Sequence, residues 1–371
     1  MKNYLVGGAV RDKILGLPIK ERDWVVVGAT VQEMLNLGYR QVGKEFPVFL
    51  HPQTGEEYAL ARLERKIKPG YKGFSFDASS EVTLNDDLMR RDLTINAIAF
   101  DPETQTLIDP FEGQKDIENK ILRHVSPAFA EDPVRILRVA RFLARFSSLG
   151  FGVDPHTVHL MHKMVQAGEV NALVAERVWK ELERGLGEKN PEKFFELLAQ
   201  CEALPLLFPQ LDIKGKGIRA LLSATMLTQS TNVRFAALLH DLPDTKKNIA
   251  ALSHRYRVPN AYRELALLTA THYPNALNMK TLSAEKLLEL FSALDIFRRE
   301  TRFKNFLLAC IAIAHAHQRD FDVEWFTQAA EETKSVDVQA LIASGLEGNQ
   351  LALHLKEKRK EKLEQWLKST N

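Results

Sequence analysis

The hydrophobic pattern of the chain changes near residue 116, and no other feature of the sequence constrains the fold as strongly. Short β-rich runs separated by Gly, Pro and Asn precede this point; they span 24–29, 47–51 and 57–63. Apolar residues then recur at helical spacing, as in the segments 132–146, 177–186 and 191–200. The pattern predicts an α+β fold, in which a small mixed unit is followed by an almost entirely helical remainder.

Composition excludes several classes of protein. The 371 residues are 45% hydrophobic and 26% charged, which is typical of globular domains and not of disordered or fibrous chains. The net charge is only +2, so overall charge indicates no particular partner. Cys201 and Cys310 lack metal-type spacing, and the longest apolar run, 306–314, is about half a bilayer span. We therefore expect a cytoplasmic protein without a membrane segment.

A glycine turn and a carboxylate pair follow each other near the N-terminus. Gly7 and Gly8 lie between a β run and an amphipathic helix, where backbone amides can face a phosphate, and Arg11 adds a positive charge. Glu21 and Asp23 are two residues apart at the start of the next β run, so period-two geometry points both carboxylates to one face. The pair beside the turn favours a Mg²⁺ site with triphosphate oxygens. Taken alone, the pair fits an edge strand with charges in water equally well.

A third carboxylate is a candidate for the same metal face. Glu57 begins a later β run and is the residue that we favour. Glu56 is the adjacent residue and carries the same side chain, so the sequence pattern does not decide between the two.

Two arginine-rich segments follow. In 90–101, Arg91 is a candidate clamp for a triphosphate or ribose, and the segment predicts an apolar helix capped by Asp92 or Thr94. In 131–142, four charged residues recur every three positions, and an ideal helix would place the first and last of them on opposite sides; they are Asp132, Arg135, Arg138 and Arg141. The alternative for this segment is an Asp–Arg surface pair on an amphipathic helix.

Five motifs in this order resemble the class II tRNA nucleotidyltransferases, that is, the bacterial-type CCA-adding enzymes and their poly(A) polymerase relatives. They are "LVGGAVRD", the carboxylate pair before "WVVVG", "RRDLTINA", "DPFEGQKD" and "EDPVRILRVARF", and they span residues 5–142. The resemblance implies a polymerase-β-like nucleotidyltransferase head over 1–115, a nucleotide-selecting helical neck over 116–205, and a tRNA-binding helical body and tail over 206–371.

The resemblance also implies a role for each motif. Glu21 and Asp23 would hold Mg²⁺ and carry catalysis, while the nucleotide-binding residues would be Gly8, Arg11, Arg91, Asp132, Arg135, Arg138 and Arg141. Asp132 and Arg135 would accept cytosine and adenine, which offer an exocyclic amine to a carboxylate and a ring nitrogen to a guanidinium. The implied reaction adds C, C and A to the tRNA 3′ end from CTP and ATP.

Two departures from the family pattern stand out. Glu21 occupies the place where the family usually has Asp, and because Glu is also an oxygen ligand, we expect an active site. The second departure is an HD-type phosphohydrolase region that is degenerate: His240 and Asp241 are present, but Arg219 stands where a first His is expected. Scattered histidines such as His254 and His272 cannot complete a binuclear site, so we predict no phosphatase or phosphodiesterase activity and interpret His240 as a packing residue.

Three alternative functions remain open at this stage. A poly(A) polymerase is disfavoured because 42–52 lacks the basic stretch typical of those relatives. A purely CC-adding enzyme is disfavoured because the loop 65–79, with Gly70 and Gly73, resembles the element that helps switch from C to A addition. A silent tRNA-binding protein is disfavoured because Asp132 and Arg135 are both present.

Binding of tRNA should rely on phosphate contacts and weaken with salt. The candidate basic residues for these contacts are Lys214, Lys216, Lys246 and Lys247. The charged C-terminal segment 356–369 is interpreted as a solvated helix face.

Overall fold

The computed structural model describes residues 1–42, 48–66, 74–77 and 79–370, and the chain divides into two compact units, Met1–Pro209 and Gln210–Asn371. The division lies close to the predicted boundary after residue 205. The further division of the first unit into head and neck stays a prediction.

The strands all lie in the first unit, among the described residues. They are β1 (Lys2–Val6), β2 (Asp23–Val27), β3 (Arg40–Val42), β4 (Val48–Leu50), β5 (Glu57–Leu60), β6 (Leu63–Lys66), β7 (Phe74–Asp77), β8 (Ala99–Asp101), β9 (Thr106–Ile108), β10 (Ile121–Leu122) and β11 (Gly152–Val153). The helices of this unit are α1 (Gly8–Ile14), α2 (Val31–Asn36), α3 (Leu84–Met89), α4 (Gly113–Glu118), α5 (Val134–Phe146), α6 (Pro155–Gln166), α7 (Ala175–Gly187), α8 (Glu192–Gln200) and α9 (Leu204–Leu207).

A seven-stranded mixed sheet in the order β3-β4-β5-β2-β1-β8-β9 organises the N-terminal half of this unit. Its centre pairs β2 antiparallel with β1 and parallel with β5. Successive residues of β2 face opposite sides, so Val25 packs with Tyr4 and Val6 whereas Val26 packs with Phe49. The sheet is therefore covered by apolar side chains on both faces, and only its strand ends are available for polar chemistry.

Helices dominate the rest of the first unit, as the sequence predicts. Helix α5 packs against α7 and α8 along its buried apolar face. The almost entirely helical chain expected after residue 116 is interrupted only at β10 and β11 among the described residues, two short strands that pair in parallel. Each has only two residues, which is too short for a period-two pattern to be recognised.

The second unit contains only helices among its described residues. They are α10 (Lys216–Leu227), α11 (Thr231–Leu239), α12 (Thr245–Arg255), α13 (Asn260–Leu277), α14 (Ala284–Leu294), α15 (Glu300–Ala316), α16 (Val323–Lys334), α17 (Val338–Ala343) and α18 (Gly348–Thr370). Small residues allow α10, α11 and α15 to approach closely, and Ala220, Ala237 and Ala312 are all buried in their common core. The predicted charged C-terminal helix is confirmed as part of α18.

Gly113 provides a test of the packing in the first unit. A Cβ atom at this position would lie 2.3 Å from the backbone oxygen of Thr94 and 2.8 Å from Ile98 Cγ1. Gly113→Ala should therefore lower the free energy of unfolding by about 2 kcal/mol, because the backbone must move. Gly152→Ala is the matched control, since no heavy atom of the described residues lies within 4 Å of its added Cβ. Urea denaturation that gave equal stabilities for the two variants would contradict this packing.

Candidate active site

A cleft of about 820 Å³ in the first unit is lined by all nine residues that the sequence singled out. They are Gly8, Arg11, Glu21, Asp23, Arg91, Asp132, Arg135, Arg138 and Arg141. The lining contains ten arginines and one lysine against six carboxylates. Such an excess of positive charge in a concave site attracts a polyanion.

The glycine turn before α1 forms one wall of the cleft. Gly7 has φ +69°, a conformation that favours glycine, and a Cβ there would lie 3.0 Å from Arg91 Nη1. A Cβ at Gly8 would lie 3.5 Å from Arg11 Nη2, an ordinary contact distance. The absence of side chains at both positions thus lets the backbone lie against two arginines.

The carboxylate pair lies at the start of β2. Asp23 is the first residue of that strand, Glu21 precedes it by two positions, and both line the cleft. Desolvation by the surrounding protein raises the pKa of Asp23, with Glu21 adding to the effect, while Arg91 and Arg138 lower it. Two carboxylates that repel each other beside a cationic wall are a donor set that a hard divalent cation fits.

The register of the sheet distinguishes the two candidates for a third carboxylate. Glu57 pairs with Asp23 across the parallel strands β5 and β2. Glu56 instead accepts a 2.9 Å hydrogen bond from Trp24 Nε1 and lies 3.6 Å from Arg22. Glu57 is thus the neighbour of Asp23, but it is not among the residues that line the cleft, so its role as a ligand stays a prediction.

A buried carboxylate that sequence reasoning missed holds two of the arginines. Asp87 on α3 is fully buried and lies 2.6 Å from Arg90 Nη2 and 3.0 Å from Arg91 Nη2. Burial alone would raise the pKa of Asp87, but the two guanidinium groups outweigh it and leave the pKa below its usual range. The available signal was the spacing of Asp87 three and four residues before the two arginines.

Arg91 carries an unsatisfied donor in this wall. Its Nη1 lies 3.5 Å from the backbone oxygen of Asn96, but its Nε is buried and has no hydrogen-bond partner among the described residues. A buried donor without an acceptor destabilises a protein by about 1–3 kcal/mol.

The predicted apolar helix after Asp92 is wrong. Only a 3₁₀ turn at Thr94–Asn96 follows, and the chain then enters β8, which pairs with β1. Asp92 is buried and accepts hydrogen bonds from Arg138 Nε at 2.7 Å, Asn96 Nδ2 at 3.0 Å and the Leu93 amide at 2.9 Å. Sheet pairing thus prevails over helix formation here, and Asp92 anchors Arg138 instead of capping a helix.

The expected opposite placement of Asp132 and Arg141 on one helix is also wrong. Asp132 has extended backbone angles, and α5 begins only at Val134. All four charged positions of the segment, Asp132, Arg135, Arg138 and Arg141, face the same cleft. The residue before a proline is disfavoured in the α conformation, and Pro133 supplies that restriction.

Each member of this segment has fixed partners. Arg177 on α7 makes two hydrogen bonds to Asp132, at 2.7 and 3.1 Å. Arg135 donates to the backbone oxygens of Ala128, at 2.8 Å, and Arg90. Arg141 donates to buried Glu181 at 2.6 Å. Arg177 and Glu181 were not predicted from the sequence, because they come from another helix.

Arg11 lies deeper in the wall than the other predicted arginines. It is only 3% exposed and donates to Asp12 at 2.8 and 2.9 Å and to Asn96. The rings of Phe142 and Phe146 lie 5.3 and 5.0 Å from its guanidinium carbon. In this state Arg11 supports the wall, and its direct contact with a triphosphate stays a prediction.

Other predicted features fall outside this cleft. The loop 65–79 contains residues 67–73 and 78, and the segment 42–52 contains residues 43–47, all of which lie outside the described residues. In the second unit, the side chains of the four candidate lysines are exposed; they are Lys214, Lys216, Lys246 and Lys247. Over the part of the chain that the structure describes, no helix combines the length and the apolar character needed to cross a bilayer.

Comparison with known proteins gives consistent results. The family model described as "Poly A polymerase head domain" matches residues 3–123, and that described as "Probable RNA and SrmB- binding site of polymerase A" matches 150–214. A CCA-adding enzyme of Coxiella burnetii is 51% identical over 361 residues, covering 97% of this chain and 94% of that protein.

Two solved structures share the fold. A CCA-adding enzyme in complex with ATP has a TM-score of 0.72 at 22% identity, covering 98% of this chain and 86% of the other. The Thermotoga maritima CCA-adding enzyme complexed with tRNA_CCA has a TM-score of 0.71 at 22% identity, covering 100% of this chain and 92% of the other.

The ion pair between Asp92 and Arg138 predicts a pH-dependent contribution to stability. The guanidinium and hydrogen bonds, acting against burial, hold the pKa of Asp92 well below its usual range. A depressed native pKa gives a stabilisation that is fully present above the unfolded value of about 3.9 and is lost progressively as the pH falls from there through the native value. Asp92→Asn should therefore lower the free energy of unfolding by about 2 kcal/mol at pH 7, and this difference should shrink below about pH 4.

The matched control is Glu103→Gln, the same carboxylate-to-amide change at an exposed position. The free energy of unfolding of Glu103→Gln should stay within about 0.5 kcal/mol of the wild-type value at pH 7 and at a pH below about 4. Urea denaturation of both variants and the wild type at each pH measures these differences. A difference for Asp92→Asn that did not depend on pH would refute the ionised pair.

Proposed function

Because this chain belongs to the family of CCA-adding enzymes, we propose that the cleft of its first unit adds C, C and A to the 3′ end of tRNA. The substrates are CTP and ATP. The tRNA 3′-hydroxyl oxygen forms a bond to the α-phosphorus, and the bond to the leaving pyrophosphate breaks. The observation that carries the proposal is the convergence of the glycine turn, the carboxylate pair and ten arginines on one cleft.

The triphosphate is proposed to bind between the glycine turn and Arg91. The turn has no side chain at Gly7 or Gly8, so phosphate oxygens can approach its backbone closely. Arg91 contributes a charge whose position is fixed by buried Asp87 and whose Nε has no partner among the described residues. A guanidinium already held in place loses little conformational freedom when the nucleotide binds.

The metal ligands are proposed to be Glu21 and Asp23. CCA-adding enzymes are nucleotidyltransferases that use divalent metal ions, and Mg²⁺ is the ion that two hard carboxylates beside a triphosphate favour. A bound Mg²⁺ would activate the 3′ hydroxyl and offset the charge that develops on the phosphates. The two side chains lie at the end of β2, and backbone pairing of β2 with β1 and β5 fixes the position of Asp23.

Base selection is proposed to lie with Asp132 and Arg135. Cytosine and adenine both present an amine donor next to a ring-nitrogen acceptor, which matches a carboxylate next to a guanidinium, whereas uracil and guanine present the opposite polarity. Asp132 Oδ1 accepts from the Val134 amide and from Arg177, and Oδ2 accepts from Arg177. A carboxylate has about four acceptor positions, so the described residues leave one for the amine of a base.

The second unit is proposed to bind the tRNA body through phosphates, with exposed Lys214, Lys216, Lys246 and Lys247 as the candidate contacts. Binding should weaken as salt rises, because contacts to phosphates release counterions. A tRNA substrate also supports a cytoplasmic location, which we propose for this chain.

A primer-extension assay tests the proposed reaction. The pure protein is incubated with Mg²⁺ and tRNA transcripts that end at the discriminator base, at C or at CC, with CTP and ATP supplied singly and together. Growth to a complete CCA end that then stops is the expected result. Addition of A to the CC end alone would indicate a partial enzyme, open-ended A addition a poly(A) polymerase, and no addition a silent tRNA-binding protein.

Variants of Glu21 test the metal assignment in the same assay. Glu21→Ala should lower the rate of addition by about 100-fold or more, since a metal contributes several kcal/mol of transition-state stabilisation. Glu21→Asp keeps a carboxylate and should retain most of the rate. Full incorporation by Glu21→Ala would show that this residue is not a ligand.

A variant of Asp132 tests base selection. Asp132→Asn turns part of the acceptor into an amide donor, which suits the carbonyl groups of uracil and guanine better. The preference for CTP and ATP over UTP and GTP should fall by about tenfold or more, measured as the ratio of kcat/KM values. Unchanged ratios with a uniformly lower rate would assign Asp132 a structural role through Arg177.

A further inference from the structure

One uncharged polar side chain lies among the charged groups of the cleft, and the proposed function assigns it no role. Asn96 closes the 3₁₀ turn Thr94–Asn96, is only 5% exposed and lines the cleft. An asparagine carries no charge and is no nucleophile, so nothing in its chemistry marks it in the sequence. Its importance follows from what it touches.

The amide of Asn96 bridges a guanidinium and a carboxylate. Its Oδ1 accepts a hydrogen bond from Arg11 Nη1, and its Nδ2 donates to Asp92 Oδ1 at 3.0 Å. All three side chains are buried. Since a guanidinium can only donate and an ionised carboxylate can only accept, a single orientation of the amide satisfies both neighbours.

The bridge joins two sets of ion pairs. On one side, Arg11 also donates to Asp12, which accepts from Arg145 at 2.9 Å. On the other side, Asp92 accepts from Arg138 Nε at 2.7 Å. Through the amide, the position of Arg11 therefore depends on that of Arg138, although the two residues lie on α1 and α5.

A side chain at this place must accept on one side and donate on the other. A carboxylate would accept from Arg11 but repel Asp92, and an alanine would leave both charged groups one hydrogen bond short. Burial would raise the pKa of Asp92, but Arg138 and the Asn96 amide outweigh it and leave the pKa well below its usual range. Asp92 is therefore ionised at pH 7 and requires a donor.

The backbone of Asn96 contacts the same wall of the cleft. Its carbonyl oxygen lies 3.5 Å from Arg91 Nη1, and a Cβ atom at Gly7 would lie 3.9 Å from that oxygen. Its amide nitrogen donates to the backbone oxygen of Leu93 at 2.9 Å, which closes the turn. Asn96 thus lies where the glycine turn, Arg91 and Arg11 meet.

We propose that Asn96 is a positioning residue for the incoming nucleotide. Its amide holds Arg11 in place and, through Asp92, also Arg138. The inference rests on the proposed function, because it takes these two arginines as part of the nucleotide-binding wall. Groups that are fixed before the nucleotide binds lose little conformational freedom on binding, so loss of the bridge weakens binding.

Asn96 should act on CTP and ATP alike, because the pair that we propose for base selection has other partners. Asp132 is held by Arg177 at 2.7 and 3.1 Å, and Arg135 donates to the backbone oxygen of Ala128 at 2.8 Å. Loss of the Asn96 amide leaves these contacts in place. The preference for CTP and ATP over UTP and GTP should therefore persist.

Nucleotide binding to Asn96→Ala and Asn96→Asp tests the proposal. Calorimetry on the full chain with Mg²⁺ and without tRNA gives the dissociation constants of CTP, ATP and UTP. Those of CTP and ATP should rise by about tenfold or more in both variants, since hydrogen bonds to charged groups are worth that much. The ratio between UTP and CTP should stay within about twofold of the wild-type ratio, because the two sites act independently.

The two variants separate chemistry from packing. Asn96→Asp has nearly the same size as the wild type and keeps the acceptor toward Arg11, so its loss of affinity reports the missing donor rather than a cavity. It also carries the test if Asn96→Ala proves unfolded. In the primer-extension assay, kcat/KM for both nucleotides should fall while the KM for tRNA stays within about twofold of the wild-type value.

Thr94→Val is the matched control. Thr94 belongs to the same turn and is buried, and its Oγ1 donates to the Asp116 carboxylate at 2.7 Å, but it does not line the cleft. The substitution removes a buried hydrogen bond to a carboxylate without changing the shape of the side chain. Its nucleotide affinities should stay within about twofold of the wild-type values. Thermal unfolding without nucleotide verifies that each variant is folded.

Several results would overturn the proposal. Wild-type affinity in the folded Asn96 variants would show that the amide positions nothing. An equal loss in Thr94→Val would assign Asn96 a purely structural role in the turn, and a changed ratio between UTP and CTP would place it in base selection. A wild type that binds CTP and ATP but extends no tRNA refutes the proposed function and leaves the binding test decisive, whereas a wild type that binds neither nucleotide refutes both.

Discussion

The first unit depends on holding many like charges around one cleft. Ten guanidinium groups would repel one another and spread into solvent unless something fixed them, and buried carboxylates hold six of the ten. Asp87 pairs with Arg90 and Arg91, while Asp12 pairs with Arg11 and Arg145. Glu181 reaches Arg141 and, at 3.9 Å, Arg138, whose Nε is bonded to Asp92. Burying such pairs contributes little net stability, because desolvation offsets the attraction. Their effect is on geometry, because they hold these six guanidinium groups in position at the cleft.

This arrangement bears directly on catalysis. As pyrophosphate leaves a nucleoside triphosphate, negative charge builds up on the oxygens of the leaving group. Cationic groups that are already oriented stabilise that charge without having to reorganise. Arg91 and Arg138 also lower the pKa of Asp23, opposing the desolvation that raises it, so two arginines of the cleft favour the ionised form of the carboxylate that we propose as a metal ligand. The cost of the arrangement is visible in the Arg91 Nε, a buried donor with no partner among the described residues.

Sequence reasoning succeeded where chemistry depends on local order and failed where it depends on tertiary packing. The change in hydrophobic pattern near residue 116 was enough to predict the α+β fold. Glu21 and Asp23 both line the cleft, but β2 begins only at Asp23, so the period-two argument does not apply to Glu21. The position of Asp132 was misjudged by treating 131–142 as one helix, although Pro133 marks a boundary that could have been read. Arg177 and Glu181 were missed because a buried partner from a neighbouring helix leaves no periodic mark. Asp87 was missed although its spacing three and four residues before Arg90 and Arg91 was a local signal. The contact of His240 was missed likewise: its Nε2 atom lies 2.9 Å from Nε2 of His317, a residue that directly follows α15 and lies 77 positions further along the chain.

The sheet holds the backbone of Asp23 but not that of Glu21, and this difference bears on the longer side chain at position 21. The ladder between β1 and β2 ends at the pair Val6 and Asp23, so backbone hydrogen bonds of the sheet hold Asp23 but do not extend to Glu21. Residues 17–22 have no regular secondary structure, and the side chain of Glu21 is exposed to the cleft. An extra methylene at Asp23 would push its carboxylate outward from a fixed strand end, whereas an extra methylene at Glu21 can be absorbed by a small movement of the segment that carries it. Of the two metal ligands that we propose, the longer side chain therefore stands at the position where the backbone can compensate.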